Sequence, residues 1–181
     1  MAQLTNQWMI LIAGPTRSGK STLAKSIAER FGGVRVGFGD AVRRRVQALG
    51  LPIERRFLQQ VGEDWVARDP GGLCDAVLTP SAGEAVVVVD GVRHRSVHGL
   101  LRARAQGRRA VLVFVDADVL VRRARLALDG INDEAIDEVL NHSTEKELPL
   151  LREAADIVVD GTRDTTQALV ALEALIAGGE A

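Results

Sequence analysis

The residues whose types and spacing point most clearly to chemistry lie near the start of the chain. Gly14 is followed, after four residues, by Gly19, Lys20 and Ser21, which is the spacing of the phosphate-binding loop, or Walker A motif. Glycines let successive backbone N–H groups surround a phosphate, and the helix that begins there adds its positive end. The loop is therefore predicted to bind a nucleoside triphosphate through Gly14, Pro15, Thr16, Arg17, Ser18, Gly19, Lys20, Ser21 and Thr22.

Within this loop two side chains have separate expected tasks. Lys20 is expected to reach the β- and γ-phosphates, and the Ser21 hydroxyl is expected to hold Mg²⁺. Lysine is scarce in this chain, since the others are Lys25 and Lys146. We therefore expect Lys20 to act directly on the phosphates.

Two carboxylates follow predicted strands. Asp90 ends the run VVVVD and is expected to join the Mg²⁺ shell, directly or through water, or to lie near the reacting phosphate; the alternative is a turn or N-cap before Gly91. Asp40 follows the second strand and is expected to be a substrate anchor, a Mg²⁺-shell residue or a general base. It would also suit the N-cap of a helix starting at Ala41.

Arginines are the candidate ligands of a substrate phosphate, because a guanidinium captures a phosphate in a bidentate manner. Arg93 is the first choice, since a strand end fixes its place, and Arg43 is the second, one helical turn after Asp40. Other arginines of the same regions are weaker candidates that could equally lie on solvated helix faces: Arg44, Arg55, Arg56, Arg68 and Arg95. Of these, Arg44 and Arg56 are predicted to bind the substrate.

Three arginines precede the Asp129-Gly130 break: Arg122, Arg123 and Arg125. With no tyrosine in the chain, an arginine is a plausible stacking partner for adenine. One of them, for which we choose Arg125, is expected instead to clamp the transferring phosphoryl group, as a fixed arginine finger does. We assign the other two, with Gly161 and Thr162 at the last strand end, to nucleotide binding.

Other polar residues are expected to be structural. His142 and Glu145 form HxxE, which is not the HExxH spacing of a zinc helix. Trp65 is expected to belong to the core of the helical insertion.

The elements that position these residues follow an α/β pattern. Short apolar runs predict strands at about 9–13, 34–38, 86–89, 110–115 and 156–159, with helices between them. Such alternation indicates a parallel sheet covered on both faces, in which ligands bind at the carboxyl ends of the strands. Helical segments without a strand separate the second and third runs, at about 40–82, and Thr144 and Glu147 have the spacing of a helix capping box.

Composition narrows the function classes. The 181 residues suffice for one domain, residues 1–181, and the net charge of −1 argues against a general nucleic-acid binder. A single cysteine, Cys74, excludes an internal disulfide framework. No apolar run approaches 18 residues, and the N-terminal run lacks a basic segment. We expect a cytoplasmic protein without a membrane partner; the oligomeric state stays open.

Four stretches carry a family resemblance: GPTRSGKST; VGFGDAVRRRVQALGL with RRFLQQVGEDWV; VVVVDGVRH; and STEKELPLLREAADIVVDGT. With them the chain resembles the P-loop nucleoside monophosphate kinase superfamily, and within it bacterial proteins related to deoxynucleoside monophosphate kinases and dephospho-CoA kinases. The resemblance implies a three-layer fold with strand order 2-3-1-4-5, a helical substrate arm after strand 2 and a lid after strand 4, at about 125–146. The chain has Gly39-Asp40-Ala41 where dephospho-CoA kinases usually have Asp-Ala-Asp.

These expectations combine into transfer of the γ-phosphoryl group of MgATP to a small phosphorylated acceptor, with a nucleoside monophosphate as the first choice. The alternative acceptor is a ribose hydroxyl, as in dephospho-CoA. The rival class is a regulatory P-loop ATPase or nucleotide switch. The chain lacks the NKxD motif of GTPases and is short for an AAA+ motor with its helical lid domain.

Overall fold

A computed structural model describes residues 7–142 and 145–178 of the chain. Its strands form one parallel sheet in the order β2-β3-β1-β4-β5. The strands are β1 (Trp8–Ala13), β2 (Val34–Gly37), β3 (Val86–Val92), β4 (Arg109–Asp116) and β5 (Ile157–Asp160). The helices are α1 (Lys20–Phe31), α2 (Phe38–Ala48), α3 (Arg55–Arg68), α4 (Pro70–Leu78), α5 (Arg95–Ala103), α6 (Val119–Leu128), α7 (Asp133–Leu140), α8 (Leu148–Glu153) and α9 (Thr165–Gly178).

The sheet is buried between two layers of helices. Alternate residues of β1 enter opposite cores, because successive side chains of a strand point to opposite faces. Met9 and Leu11 pack with α2, α4, α5 and α8, whereas Ile10 and Ile12 pack with α1 and α9. The three-layer α/β fold and the predicted strand order 2-3-1-4-5 are confirmed.

The second strand ends one residue earlier than predicted, which changes the place of Asp40. Helix α2 begins at Phe38 with Gly37 as its N-cap, so Asp40 lies inside the first turn of the helix. The alternative interpretation of Asp40, as the N-cap of a helix starting at Ala41, is therefore wrong. Acidic residues in a first turn still interact favourably with the positive end of the helix.

The third strand is longer than predicted. It continues through Asp90 to Val92, and Asp90 stands in register with Ile12 of β1 and Gly37 of β2. This places the Asp90 carboxylate directly beside the strand that leads into the phosphate-binding loop.

The helices after β2 and β4 build the two flanks of the carboxyl edge. Helices α2, α3 and α4 lie between β2 and β3 in the chain, and Trp65 of α3 packs against the core as predicted. Arg44 of α2 donates to the Ala76 carbonyl of α4, so it joins two helices of this group. Helices α6, α7 and α8 lie between β4 and β5.

The predicted capping box lies partly outside the described residues, which exclude Thr144. Helix α8 begins at Leu148, with Glu147 as its N-cap. No helix among the described residues is long and apolar enough to cross a membrane.

Candidate active site

The phosphate-binding loop connects β1 to α1 in a tightly packed conformation. A Cβ atom added at Gly14, whose φ is +138°, would lie 2.2 Å from the Val115 carbonyl oxygen. Gly19, the N-cap of α1, has a φ of +102°. Both positions therefore require glycine, as the motif predicts.

Lys20 is buried beneath this loop. Its Nζ donates to the Pro15 carbonyl oxygen at 2.5 Å. Burial, followed by the positive charge of Arg93, lowers the pKa of Lys20 to about 7, although Asp90 and Glu145 act in the opposite direction. An anionic ligand at the loop would raise this pKa again, because a nearby negative charge favours the ammonium form.

Gly161, at the end of β5, packs directly against the phosphate-binding loop. A Cβ atom there would lie 1.8 Å from the Ser18 carbonyl oxygen. The Gly161 N–H donates to the Asp116 carbonyl oxygen at 2.7 Å. The neighbouring Thr162 donates to Asp160 and does not line the adjoining cavity.

We expect Gly161→Ala to destabilise the protein by about 1–3 kcal/mol, because the new methyl group must displace loop backbone. Nucleotide affinity should fall with it, since the displaced backbone belongs to the phosphate-binding loop. Urea unfolding measures the first effect and titration with ATP the second. Gly99→Ala is the matched control: it lies on α5 with open space around its Cβ position, so it should raise stability by about 0.5–1 kcal/mol. Equal stability and equal ATP affinity of the two variants would show that Gly161 is not needed for packing against the loop.

A cavity of about 730 Å³ opens on the β5 side of the loop. Its walls combine loop residues, the end of α6 and the start of α9, and they include Ser21, Arg125, Leu128 and Val158. Leu128 is 87% exposed, so it gives the cavity wall an apolar surface.

Two of the three arginines of α6 bind the carbonyl groups around the loop. Arg122 Nε donates to Thr16 O at 2.8 Å, and Arg125 donates to Arg17 O at 3.0 Å and to Gly161 O at 2.9 Å. Arg123 points elsewhere and pairs with two aspartates of α7, Asp133 and Asp137. The structure thus brings Arg122 and Arg125 to the site, but not Arg123.

A second cavity, of about 540 Å³, opens on the other side of the loop, between the sheet edge and helices α2 and α3. Asp40, Arg43, Asp90 and Arg93 line it, as does Arg55. Arg56 is not among its lining residues; it pairs with Glu54 and lies over the Phe57 ring. Two of the arginines that the sequence predicts to bind the substrate, Arg44 and Arg56, therefore do not line this cavity.

Arg35 of β2, which the sequence did not single out, joins both carboxylates of this cavity. Its Nη2 donates to Asp90 Oδ2 at 2.9 Å and its Nη1 donates to Asp40 Oδ2 at 3.3 Å. Burial would lower the pKa of Arg35, but the hydrogen bond and charge of Asp90 hold it above its ordinary value. Arg43 Nη1 donates to the other oxygen of Asp40 at 3.1 Å. Asp40 and Asp90 thus act first as anchors for guanidinium groups.

Arg93 binds both the phosphate-binding loop and Glu145. Its Nη1 donates to Glu145 Oε1 and its Nη2 to Thr16 Oγ1, both at 3.1 Å. Glu145 also accepts bonds from Thr16 and Arg122. The sequence assigned Glu145 a structural role because HxxE is not a zinc motif, and this pattern gave no sign of its contacts with the loop.

His94 and Glu147 form a further pair at the edge of the second cavity. His94 Nδ1 lies 3.0 Å from Glu147 Oε1, and the Arg95 N–H donates to Oε2 at 2.8 Å. The hydrogen bond from His94 and that from the Arg95 backbone lower the pKa of Glu147. His142 instead lies 3.7 Å from Glu63.

The oxygen atoms of Ser21 and Asp90 suit a metal ion that takes most of its ligands from water and substrate phosphates. No group of three or more His, Cys, Asp and Glu side chains in the described part of the chain forms a cage for a metal ion. Magnesium typically takes one or two carboxylates together with substrate phosphates and water. Ser21, which lines both cavities, and the buried Asp90 fit that requirement.

Sequence relatives of the chain are distant. A UPF0200 protein of Thermococcus onnurineus is 29% identical over 134 residues, which is 70% of each chain. An adenylate kinase of Pyrococcus abyssi is 47% identical over 49 residues, a quarter of this chain and 22% of the other.

Among solved structures, the shikimate kinase of Acinetobacter baumannii superposes with a TM-score of 0.67 at 18% identity, covering 97% of this chain and 96% of that one. Identity this low establishes the fold alone, which is that of P-loop kinases.

The family model AAA_18, described as an AAA domain, matches residues 10–150, which include the phosphate-binding loop and both carboxylates of the second cavity. The chain therefore belongs to the AAA_18 family of P-loop domains.

Proposed function

We propose that the protein transfers the γ-phosphoryl group of MgATP to a small nucleotide-type acceptor, a nucleoside monophosphate in the first instance. The observation that carries the proposal is the arrangement of two cavities on either side of one phosphate-binding loop. Arg17, Lys20 and Ser21 line both of them. A donor in one cavity and an acceptor in the other would meet at these residues, which is the arrangement that direct transfer requires.

The cavity on the β5 side suits the donor. Its exposed apolar residues, Leu128 and Val158, and the guanidinium of Arg125 would flank adenine. We thus propose for Arg125 a contact with adenine in place of the clamp on the phosphoryl group that the sequence led us to expect. Lys20 would neutralise the β- and γ-phosphates, and Ser21 with Asp90 would hold the magnesium ion, which supplies charge neutralisation on the phosphate oxygens.

The cavity beside α2 and α3 suits the acceptor. Arg93 donates to Thr16 of the loop, whereas Phe38, Leu58 and Val66 give the same cavity an apolar part. A phosphate at the cationic end and a base at the apolar end would match this polarity. We propose that α2–α4 act as the acceptor arm and residues 125–146 as the lid, within one cytoplasmic unit.

Two other functions compete with this proposal. A hydroxyl acceptor is the first, because Asp40 and Asp90 supply carboxylates beside the second cavity and a hydroxyl benefits from a general base. A regulatory ATPase is the second, since the family is described as an AAA domain. An acceptor screen with MgATP, covering all ribo- and deoxyribonucleoside monophosphates and dephospho-CoA, separates the three. Phosphate release that exceeds transfer to every acceptor would overturn the kinase proposal.

Asp40→Asn distinguishes the two acceptor classes. A phosphate oxygen is already ionised near pH 7, since its second pKa is about 6, and it needs no base. We therefore expect KM for the acceptor to rise about tenfold, through loss of the charge-assisted bonds that hold Arg35 and Arg43, with kcat little changed.

The control for that variant is Asp64→Asn, which alters an exposed aspartate of α3 outside the cavity lining and should behave as the wild type. Steady-state kinetics at saturating MgATP provide both constants. A fall in kcat of about 10²-fold or more would show that Asp40 is a general base and would favour the hydroxyl acceptor.

A further inference from the structure

Glu145 accepts hydrogen bonds from three residues at the mouth of the phosphate-binding loop. Its Oε1 accepts bonds from the Thr16 N–H and hydroxyl, both at 2.8 Å. The same oxygen accepts from Arg93 at 3.1 Å, while Oε2 accepts from Arg122 at 2.8 Å. The Glu145 side chain is 10% exposed, so these contacts are made largely out of water.

The surrounding charges explain why a carboxylate stands there. Lys20, Arg93 and Arg122 are three cations gathered at one loop, and Arg93 and Arg122 each disfavour the charged form of Lys20. Arg122 likewise disfavours the charged form of Arg93, whereas Glu145 favours it. Without an anion between them the guanidiniums would repel one another and turn towards solvent.

Glu145 also fixes the direction of both guanidiniums. Arg93 is held between Glu145 and the Thr16 hydroxyl, and Arg122 between Glu145 and the Thr16 carbonyl. Each arginine is thus bound to the loop itself by a second bond. A guanidinium group is planar, so two hydrogen bonds fix the orientation of the whole group.

We propose that Glu145 is a positioning residue for phosphoryl transfer, which holds Arg93 and Arg122 against the phosphate-binding loop where charge develops on the transferring group. The inference rests on the proposed function in that it assigns the γ-phosphate to this loop. Glu145 acts through the arginines and does not touch the phosphate, because two anions in contact would repel. Preorganised cations of this kind stabilise a transition state more than a ground state.

The test uses ADP with Mg²⁺ and aluminium fluoride, a mimic of the transferring phosphoryl group, and ADP with Mg²⁺ alone. For Glu145→Gln, which keeps the size of the side chain and removes its charge, we expect affinity for the mimic to fall about 10²-fold. Affinity for ADP alone should stay within about threefold of wild type. Glu153→Gln, an exposed glutamate on the neighbouring α8, is the matched control and should change neither value.

A double-mutant cycle tests whether Glu145 acts through Arg122. If it does, the loss of affinity for the mimic in the Glu145→Gln, Arg122→Ala double variant should be smaller than the two single losses combined, because coupled losses do not add. The further loss relative to Arg122→Ala alone measures the share that passes through Arg93, which Glu145 also holds. Additive losses would overturn the proposal. Equal losses for ADP and for the mimic would also overturn it, since they would indicate a general disturbance of the loop.

The same measurements separate this inference from the proposed function. A wild-type protein that binds the mimic more tightly than ADP, yet transfers phosphate to no acceptor in the screen, would refute the proposed kinase while leaving the role of Glu145 intact. A wild-type protein that shows no preference for the mimic would overturn the role of Glu145. An unchanged Glu145→Gln variant would overturn it as well.

Discussion

Replacing Lys20 by alanine should reduce phosphoryl transfer by about 10³-fold or more, the scale expected when a cation that stabilises the transferring group is lost. Lys20 is buried beneath the phosphate-binding loop, where low effective dielectric strengthens its attraction to phosphate. Water cannot replace that charge with the same fixed geometry. A coupled assay of ADP production, run with the best acceptor of the screen, measures the effect.

Lys25→Ala is the matched control for this substitution. Lys25 lies on the same helix, but its side chain is 74% exposed and pairs only weakly with Glu29, at 3.8 Å, so the variant should retain wild-type activity. Retained activity in Lys20→Ala would refute the central claim that this loop carries the reacting phosphates.

The low pKa of Lys20 makes ATP binding depend on pH. In the free protein the pKa is about 7, and phosphates raise it in the complex. Above pH 7, ATP binding must therefore take up a proton, so affinity should fall by up to about tenfold per pH unit as pH rises. Titration calorimetry in buffers of different ionisation enthalpy counts that proton, and Lys20→Ala should lose it.

The phosphate-binding loop was accessible from sequence because its determinants are local. The glycines, Lys20 and Ser21 occupy eight consecutive residues, and the spacing of the motif alone defines how the backbone surrounds a phosphate. The parallel sheet followed from short buried runs separated by helices, whereas the strand order 2-3-1-4-5 came from the family resemblance.

The second cavity and the contacts of Glu145 were less accessible because they join distant parts of the chain. Arg35 meets Asp90 across 55 residues, and Glu145 meets Thr16 across 129. In sequence Arg35 is a single arginine on a short strand, and no spacing rule connects it with a carboxylate on β3. Register between β2 and β3 places them together, and register is a property of the folded sheet.

Asp40 shows how the residue at which a helix begins decides between two interpretations of one carboxylate. A helix that begins at Ala41 would occupy its carboxylate with backbone N–H groups. Because α2 begins at Phe38, the carboxylate is instead available to Arg35 and Arg43. Asp40 is therefore an anchor for two cations and not the cap of the helix.

Asp90→Asn should lower kcat by about 10²-fold and raise the Mg²⁺ concentration for half-maximal rate by about 10–100-fold. Asp90 is buried, 6% exposed, and it stands beside the strand that leads into the phosphate-binding loop. The neutral amide would still fill its space but would attract the ion far less. Initial rates across a magnesium titration at fixed ATP give both quantities, and urea unfolding verifies that the variant is folded.

Arg35→Ala separates the two roles that Asp90 has in this site. It removes the guanidinium that Asp90 anchors while leaving the carboxylate in place, so we expect a higher KM for the acceptor with an unchanged magnesium requirement. If Arg35→Ala and Asp90→Asn instead gave the same losses with the same magnesium dependence, Asp90 would be an anchor for Arg35 alone. The metal would then have to be held by Ser21 and the phosphates, because Asp90 would contribute nothing to its affinity.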